Sequence, residues 1–146
     1  MARWLGAFLL LGCAASGAAA AQSQPSWQRS WTVSAFDCPA CSPEDRAWLQ
    51  ARLGEVVTIE PSRFLNPLYE SCPSGPDYSD IRPRDRGAAM GFLGSARLPE
   101  TVADAPLAGS IRCAEPSGPP NTAARIVIDG QRAFMLHESG AIIELR

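Results

Sequence analysis

Three apolar runs at the end of the chain constrain it most: "RIVID", "RAFMLH" and "AIIELR", separated by Gly130-Gln131 and by Glu138-Ser139-Gly140. Asp129-Gly130 is a tight-hairpin signal, and Glu138-Ser139-Gly140 suits a three-residue turn with Gly140 left-handed. The spacing predicts a three-stranded antiparallel meander, with Ile126, Ile128, Phe134, Leu136, Ile143 and Leu145 as core candidates.

Upstream, Trp27 to Ala35 alternates apolar and polar residues with a period of two, which predicts a half-buried strand with Arg29 the exception on its apolar side. Ser42 is a good N-cap, Pro43 suits the first helical position, and Asp45 can complete a capping box. A helix through "EDRAWLQARL" then stops at Gly54. "EVVTIE" predicts a second strand closed by Pro61, with Val57 and Ile59 inward if the alternation holds and Val56 alone if it does not. The segment from Pro61 to Pro83 carries too many aromatic residues for a free linker and is expected to be an ordered loop pinned by Cys72. "RDRGAAMGFLG" offers one or two helical turns from Asp85, weakened by Gly87 and Gly91. The fold expected is a small disulfide-stapled α+β domain: one N-terminal helix, and an antiparallel sheet ending in the three-stranded C-terminal meander.

The first residues bear one positive charge at Arg3, a short apolar run and then alanines, the layout of a secretory signal peptide over 1–21. The run is far short of the ~20 residues that cross a bilayer, so we expect no transmembrane span. Cleavage after Ala21 leaves about 125 residues, the size of one exported domain, 22–146. Leu10-Leu11-Gly12-Cys13 offers a second processing site at which Cys13 would carry a lipid anchor; Leu11 fits that box poorly, and the alanine-rich site is preferred. The full chain has net charge -2, and losing Arg3 makes it -3. That field does not recruit nucleic acid or anionic lipid, which excludes DNA and RNA as partners. A periplasmic or secreted location is expected.

Without Cys13 four cysteines remain: Cys38, Cys41, Cys72 and Cys113. An even number in an exported chain predicts two disulfides, with three connectivities open. Cys38-Pro39-Ala40-Cys41 follows a strand and precedes a helix. Over these four residues and that setting the chain resembles the thioredoxin-like family, its CPxC members in particular, and "IVIDGQRAF" is similar to that family's late strand pair. The resemblance implies thiol-disulfide chemistry with Cys38 as nucleophile and Cys41 beside it. The cap at Ser42 places Cys38 about four residues upstream of the helix dipole's strongest point, and Ala123-Ala124 stands where the family sets a proline. The alternative metal reading is a zinc or copper site built from Cys38, Cys41, Cys72 and Cys113, or from three of them with His137.

His137 is the only histidine; it shares a strand face with Met135 and Ala133 and is expected at an exposed or edge position. No G-x-S-x-G elbow accompanies it, which argues against a serine hydrolase. Asp77, Asp80 and Asp85 are interleaved with Arg82, Arg84 and Arg86, which predicts a salt-bridged loop rather than a calcium site. Tyrosine and arginine are enriched at binding hot spots, so Tyr69, Tyr78, Arg82 and Arg84 are the candidate binding residues. The expected function is a non-catalytic binding or interaction domain for an unknown protein or small-molecule ligand, with no cofactor. The alternative is a periplasmic thiol-disulfide or thiol-metal protein using Cys38 and Cys41.

Overall fold

In the computed structural model the alternation near the start of the chain becomes β1 (Ser30–Asp37), and Ser42 caps α1 (Pro43–Gln50) by accepting the Asp45 amide at 3.0 Å. The structure describes residues 24–72, 75–94, 98–114 and 120–146. The leader at 1–21 and Cys13 lie outside the described residues. After the left-handed Gly54 come β2 (Val56–Glu60), β3 (Arg63–Leu65), β4 (Pro76–Asp77) and β5 (Arg82–Pro83). Then follow α2 (Arg86–Phe92), β6 (Leu107–Cys113), β7 (Asn121–Asp129), β8 (Arg132–Leu136) and β9 (Ile142–Leu145).

The strands pair in the order β3-β2-β1-β9-β8-β7-β6-β4, with β5 also on β6, and every pairing is antiparallel. The chain is therefore mostly antiparallel sheet, a nearly closed barrel of eight strands with two helices. This corrects the expectation of a one-helix α+β domain ending in a three-strand meander. The last three strands do pair as neighbours, but β9 has a second edge to satisfy. It pairs along β1 from Val33↔Leu145 to Asp37↔Ile142, fusing the two ends of the chain into one sheet. A bulge between Val33 and Ala35 bends β1 there, and Ser34 Oγ donates to the Glu144 carbonyl at 3.1 Å. The expected fold had one helix and the structure has a second, α2, which begins where the helical turns from Asp85 were expected, with the Asp85 carboxylate accepting the Ala88 amide at 2.9 Å.

Both faces of the later strands are buried. Inward-facing Trp31, Val57, Ile59, Phe64, Ile111 and Ile143 are all within 1% of complete burial, so side chains fill the interior. Arg29, the exception to the alternation, stacks its guanidinium on the Trp31 ring at 3.9 Å and donates Nη1 to Gln131 Oε1 at 2.6 Å. Outside, Ala89 of α2 and its C-cap Leu93, with Leu98 and Val102, cover Ala108, Val127, Phe134 and Ile142. Phe134 and Leu136 thus belong to this outer layer and not with Ile126, Ile128, Ile143 and Leu145 in the interior.

The barrel closes at a seam between β3 and β6. Phe64 and Cys72 exchange backbone hydrogen bonds at 2.9 and 2.7 Å, and Cys72 is bonded to Cys113 on β6. Tyr78 packs edge-on against Trp27, and its hydroxyl lies 2.7 Å from the Glu60 carbonyl and 3.1 Å from that of Arg63. Burial is the main reason that the Tyr78 phenol is pushed up to about 12. A raised phenol favours the protonated, folded form, so its contribution is intact below the ordinary tyrosine value of about 10 and is lost as pH rises towards 12. In an alkaline denaturation series the protein should lose stability across that window, and Tyr78→Phe should flatten the loss.

Candidate functional site

One end of the barrel gathers the residues with chemistry to offer. β1 ends there at Asp37, β8 ends at Leu136, and β9 and β7 begin at Ile142 and Asn121. The turn from His137 to Ala141 closes with the Ala141 carbonyl accepting the His137 amide at 2.9 Å, and Gly140 takes φ 81° as its type requires. This turn puts His137 and Ser139 side by side: His137 Nδ1 lies 2.9 Å from Ser139 Oγ and accepts the Ser139 amide at 3.2 Å. Trp48 of α1 stacks on the imidazole, centroids 5.2 Å apart.

His137 is therefore buried, at 9% exposure, where an exposed or edge position was expected. The alternation with Ala133 and Met135 holds, but their shared face is the barrel interior, and α1 covers its end.

The cysteines pair as Cys38–Cys41 and Cys72–Cys113. Cys38 is buried, with its carbonyl accepting Arg46 Nη2 at 2.7 Å, whereas Cys41 is partly exposed and lies 3.5 Å from Ser139 Oγ. The two bonds constrain the unfolded chain unequally. Closing the loop of sequence separation 41 is worth about 4 kcal/mol, and closing a separation of 3 about 2 kcal/mol, by loop entropy alone. The metal alternative finds no support in this arrangement: both pairs are oxidised, and among the described residues no group of three or more His, Cys, Asp or Glu converges.

The four candidate binding residues separate. Tyr78 is engaged at the seam. Arg84 donates Nε to the Ala108 carbonyl at 3.0 Å and Nη2 to Asp80 at 2.7 Å, with its guanidinium over the Phe92 ring. Arg82 is exposed on β5. Tyr69 is 60% exposed and lines an open groove of about 320 Å³ together with Thr122–Arg125, Leu136, His137 and Glu138. The groove exists because β7 outruns β8: with Ile126 opposite Met135 and β8 ending at Leu136, Asn121–Ala124 extend past the shorter strand. Glu70 anchors the Tyr69 loop there, its carboxylate accepting Asn121 Nδ2 at 3.0 and 2.9 Å.

The acidic residues have structural partners. Asp77 is held below the usual carboxylate range chiefly by the Ser79 amide, then by the Ser79 hydroxyl and Arg112. Asp80 takes Arg84 and the Ser110 amide, and Asp85 caps α2.

Ser139, Trp48, Thr122–Arg125 and Glu138 were absent from the candidates drawn from sequence. The His-x-Ser spacing across a predicted turn was the available signal for Ser139. The others depend on which strand outruns its neighbour and on how α1 covers the barrel end. A scan of protein-family models, and searches of curated proteins and of solved structures, return no match. The CPxC likeness accordingly stops at its strand-turn-helix setting, since α1 leads into an antiparallel barrel.

Proposed function

We propose that this is an exported, non-catalytic binding domain, stabilised by two disulfides, that holds a protein segment or small-molecule ligand in the groove beside Tyr69. The observation that carries the reading is the tyrosine itself: a large ring, 60% exposed, at the edge of a groove whose other polar members are Thr122, Arg125, His137 and Glu138. Aromatic and arginine side chains supply most binding energy where they occur. Ala123, Ala124 and Leu136 give an apolar floor and the charged pair gives orientation, the composition of ligand sites in general. The filled interior argues for binding on the wall of the barrel. Two disulfides are consistent with an oxidising compartment, and the leader-like start supports a periplasmic or secreted location. No described helix is long and apolar enough to cross a membrane. The net charge of -2 speaks against a nucleic-acid partner.

A fragment library screened by ligand-observed NMR, with hits mapped on the isotope-labelled protein, tests the reading. Hits should perturb Tyr69, Thr122–Arg125, His137 and Glu138, and Tyr69→Ala should weaken them about tenfold, or about 1.4 kcal/mol, with the thermal midpoint unchanged. Perturbations clustered elsewhere, or indifferent to Tyr69→Ala, would overturn it.

A further inference from the structure

We propose that a hollow on the outer wall of the barrel, where β1 meets β9, is a socket for the side chain of a lysine on a partner protein. It lies apart from the Tyr69 groove and does not rest on what that groove holds.

The bulge in β1 creates it. Up to Val33 the odd-numbered residues of β1 face the interior, and Val33 sits opposite Leu145 of the core. Past the extra residue the parity reverses: Phe36 takes the inward place opposite Ile143, while Ala35 pairs with Glu144 and Asp37 with Ile142. Without the bulge Asp37 would be aimed at the core. With it, Asp37 and Glu144 stand on the same outer face as Phe134 and Ile142, which belong to the second apolar layer. Ala35 is too small to cover this patch. What remains is a hollow of about 170 Å³ whose apolar lining includes Ala35, Pro99, Phe134 and Ile142, with the two acidic residues beside them.

Size and charge select the occupant. Small-molecule sites run from about 300 Å³ upward, so this volume suits one inserted side chain. A lysine lays its methylene stem on apolar surface and keeps its ammonium at the polar end. Asp37 and Glu144 are diagonal neighbours across the β1–β9 pair, a spacing of about 7–8 Å, so a cation between them must donate in two directions. The three donors of an ammonium do this, whereas the planar guanidinium fork matches one carboxylate at a time. Asp37 takes part in none of the ion pairs among the described residues. Glu144 is held by Arg146 Nε at 2.9 Å, but that arginine side chain is 65% exposed and free to give way. Arg132, which lies over the Phe134 ring, is held by Asp129 at 3.1 Å. The chain itself contains no lysine, which rules out a second copy as its source.

The test is NMR titration of the isotope-labelled protein with three short peptides that differ at one residue: lysine, norleucine or arginine. The lysine peptide should shift the methyl signals of Ala35 and Ile142 and the ring of Phe134, bind several-fold more tightly than the other two, and weaken as salt is raised. Asp37→Asn combined with Glu144→Gln should weaken it about tenfold. Ala35→Leu fills the hollow and keeps both carboxylates, and it should weaken binding as much while leaving the thermal midpoint unchanged. Tyr69→Ala should leave the lysine peptide unaffected, which separates this socket from the groove. Equal binding of the norleucine peptide, or indifference to either the charge variant or Ala35→Leu, would overturn the proposal, as would shifts confined to Tyr69, His137 and Glu138. A tighter arginine peptide would overturn the choice of lysine.

Discussion

Replacing Cys72 and Cys113 together by serine should cost about 4 kcal/mol of unfolding free energy, whereas the same replacement at Cys38 and Cys41 should cost about 2 kcal/mol or less. The difference follows from what each bond spans. Cys72–Cys113 closes a separation of 41 residues and ties β3 at one end of the strand order, through the Phe64–Cys72 bridge, to β6 near the other. Without it, the seam keeps the Tyr78 hydroxyl and the Asn121–Glu70 contact, each worth about 1 kcal/mol net. Cys38–Cys41 shortens one turn before α1, which Ser42 already caps. Urea denaturation of the two double variants measures both numbers. Equal losses, or a larger loss at Cys38 and Cys41, would place the structural weight on the wrong bond.

Gly109→Ala should be the most damaging single substitution on β6, at about 3 kcal/mol. A Cβ built there would meet the Asp80 carbonyl oxygen, with the Asp80 carbonyl carbon at 2.6 Å and Ile81 Cα at 2.8 Å. All three are backbone atoms, so no flexible side chain can move aside. The segment they belong to is pinned in place, because Asp80 accepts the Ser110 amide at 3.0 Å and pairs with Arg84 at 2.7 Å. Relief of the clash would therefore break a charge-assisted hydrogen bond worth about 1.5–3 kcal/mol. Gly91→Ala is the control: nothing lies within 4 Å of its Cβ position in α2, so it should be neutral or stabilising by up to about 1 kcal/mol. Thermal denaturation of the pair separates close approach from a general cost of changing glycine.

Local signals were legible in the sequence. Alternation marked β1, Val57 and Ile59 faced inward on β2, Ser42 capped α1, and Gly130 and Gly140 took their positive φ in the last two turns. What escaped depends on distant partners. Gly109 sits within β6 because the β4–β5 connection crosses there, a close approach that no local pattern announces. Phe134 and Leu136 look like core beside Ile126, but α2 and Leu98 create a second apolar layer that no pattern within the meander announces. Tyr78 and Arg84 have the composition of a binding surface, and both are turned to backbone carbonyls. Of the candidate site, Tyr69, His137 and the CxxC pair were visible by residue type. Their grouping at one barrel end was not, because it rests on the β1–β9 pairing that joins the first strand to the last.

That pairing and the seam opposite it make the barrel, and the barrel puts the groove and the Cys41 sulfur at one end. Native-state amide hydrogen exchange tests the closure directly. The Phe64 and Cys72 amides, and those of β1 facing β9, should exchange as slowly as Ile126 and Val127 at the centre of β7, since strongly protected groups open only with the whole fold. Protection confined to β7, β8 and β9, with Phe64, Cys72 and β1 exchanging as fast as the turn at Glu138–Gly140, would contradict it.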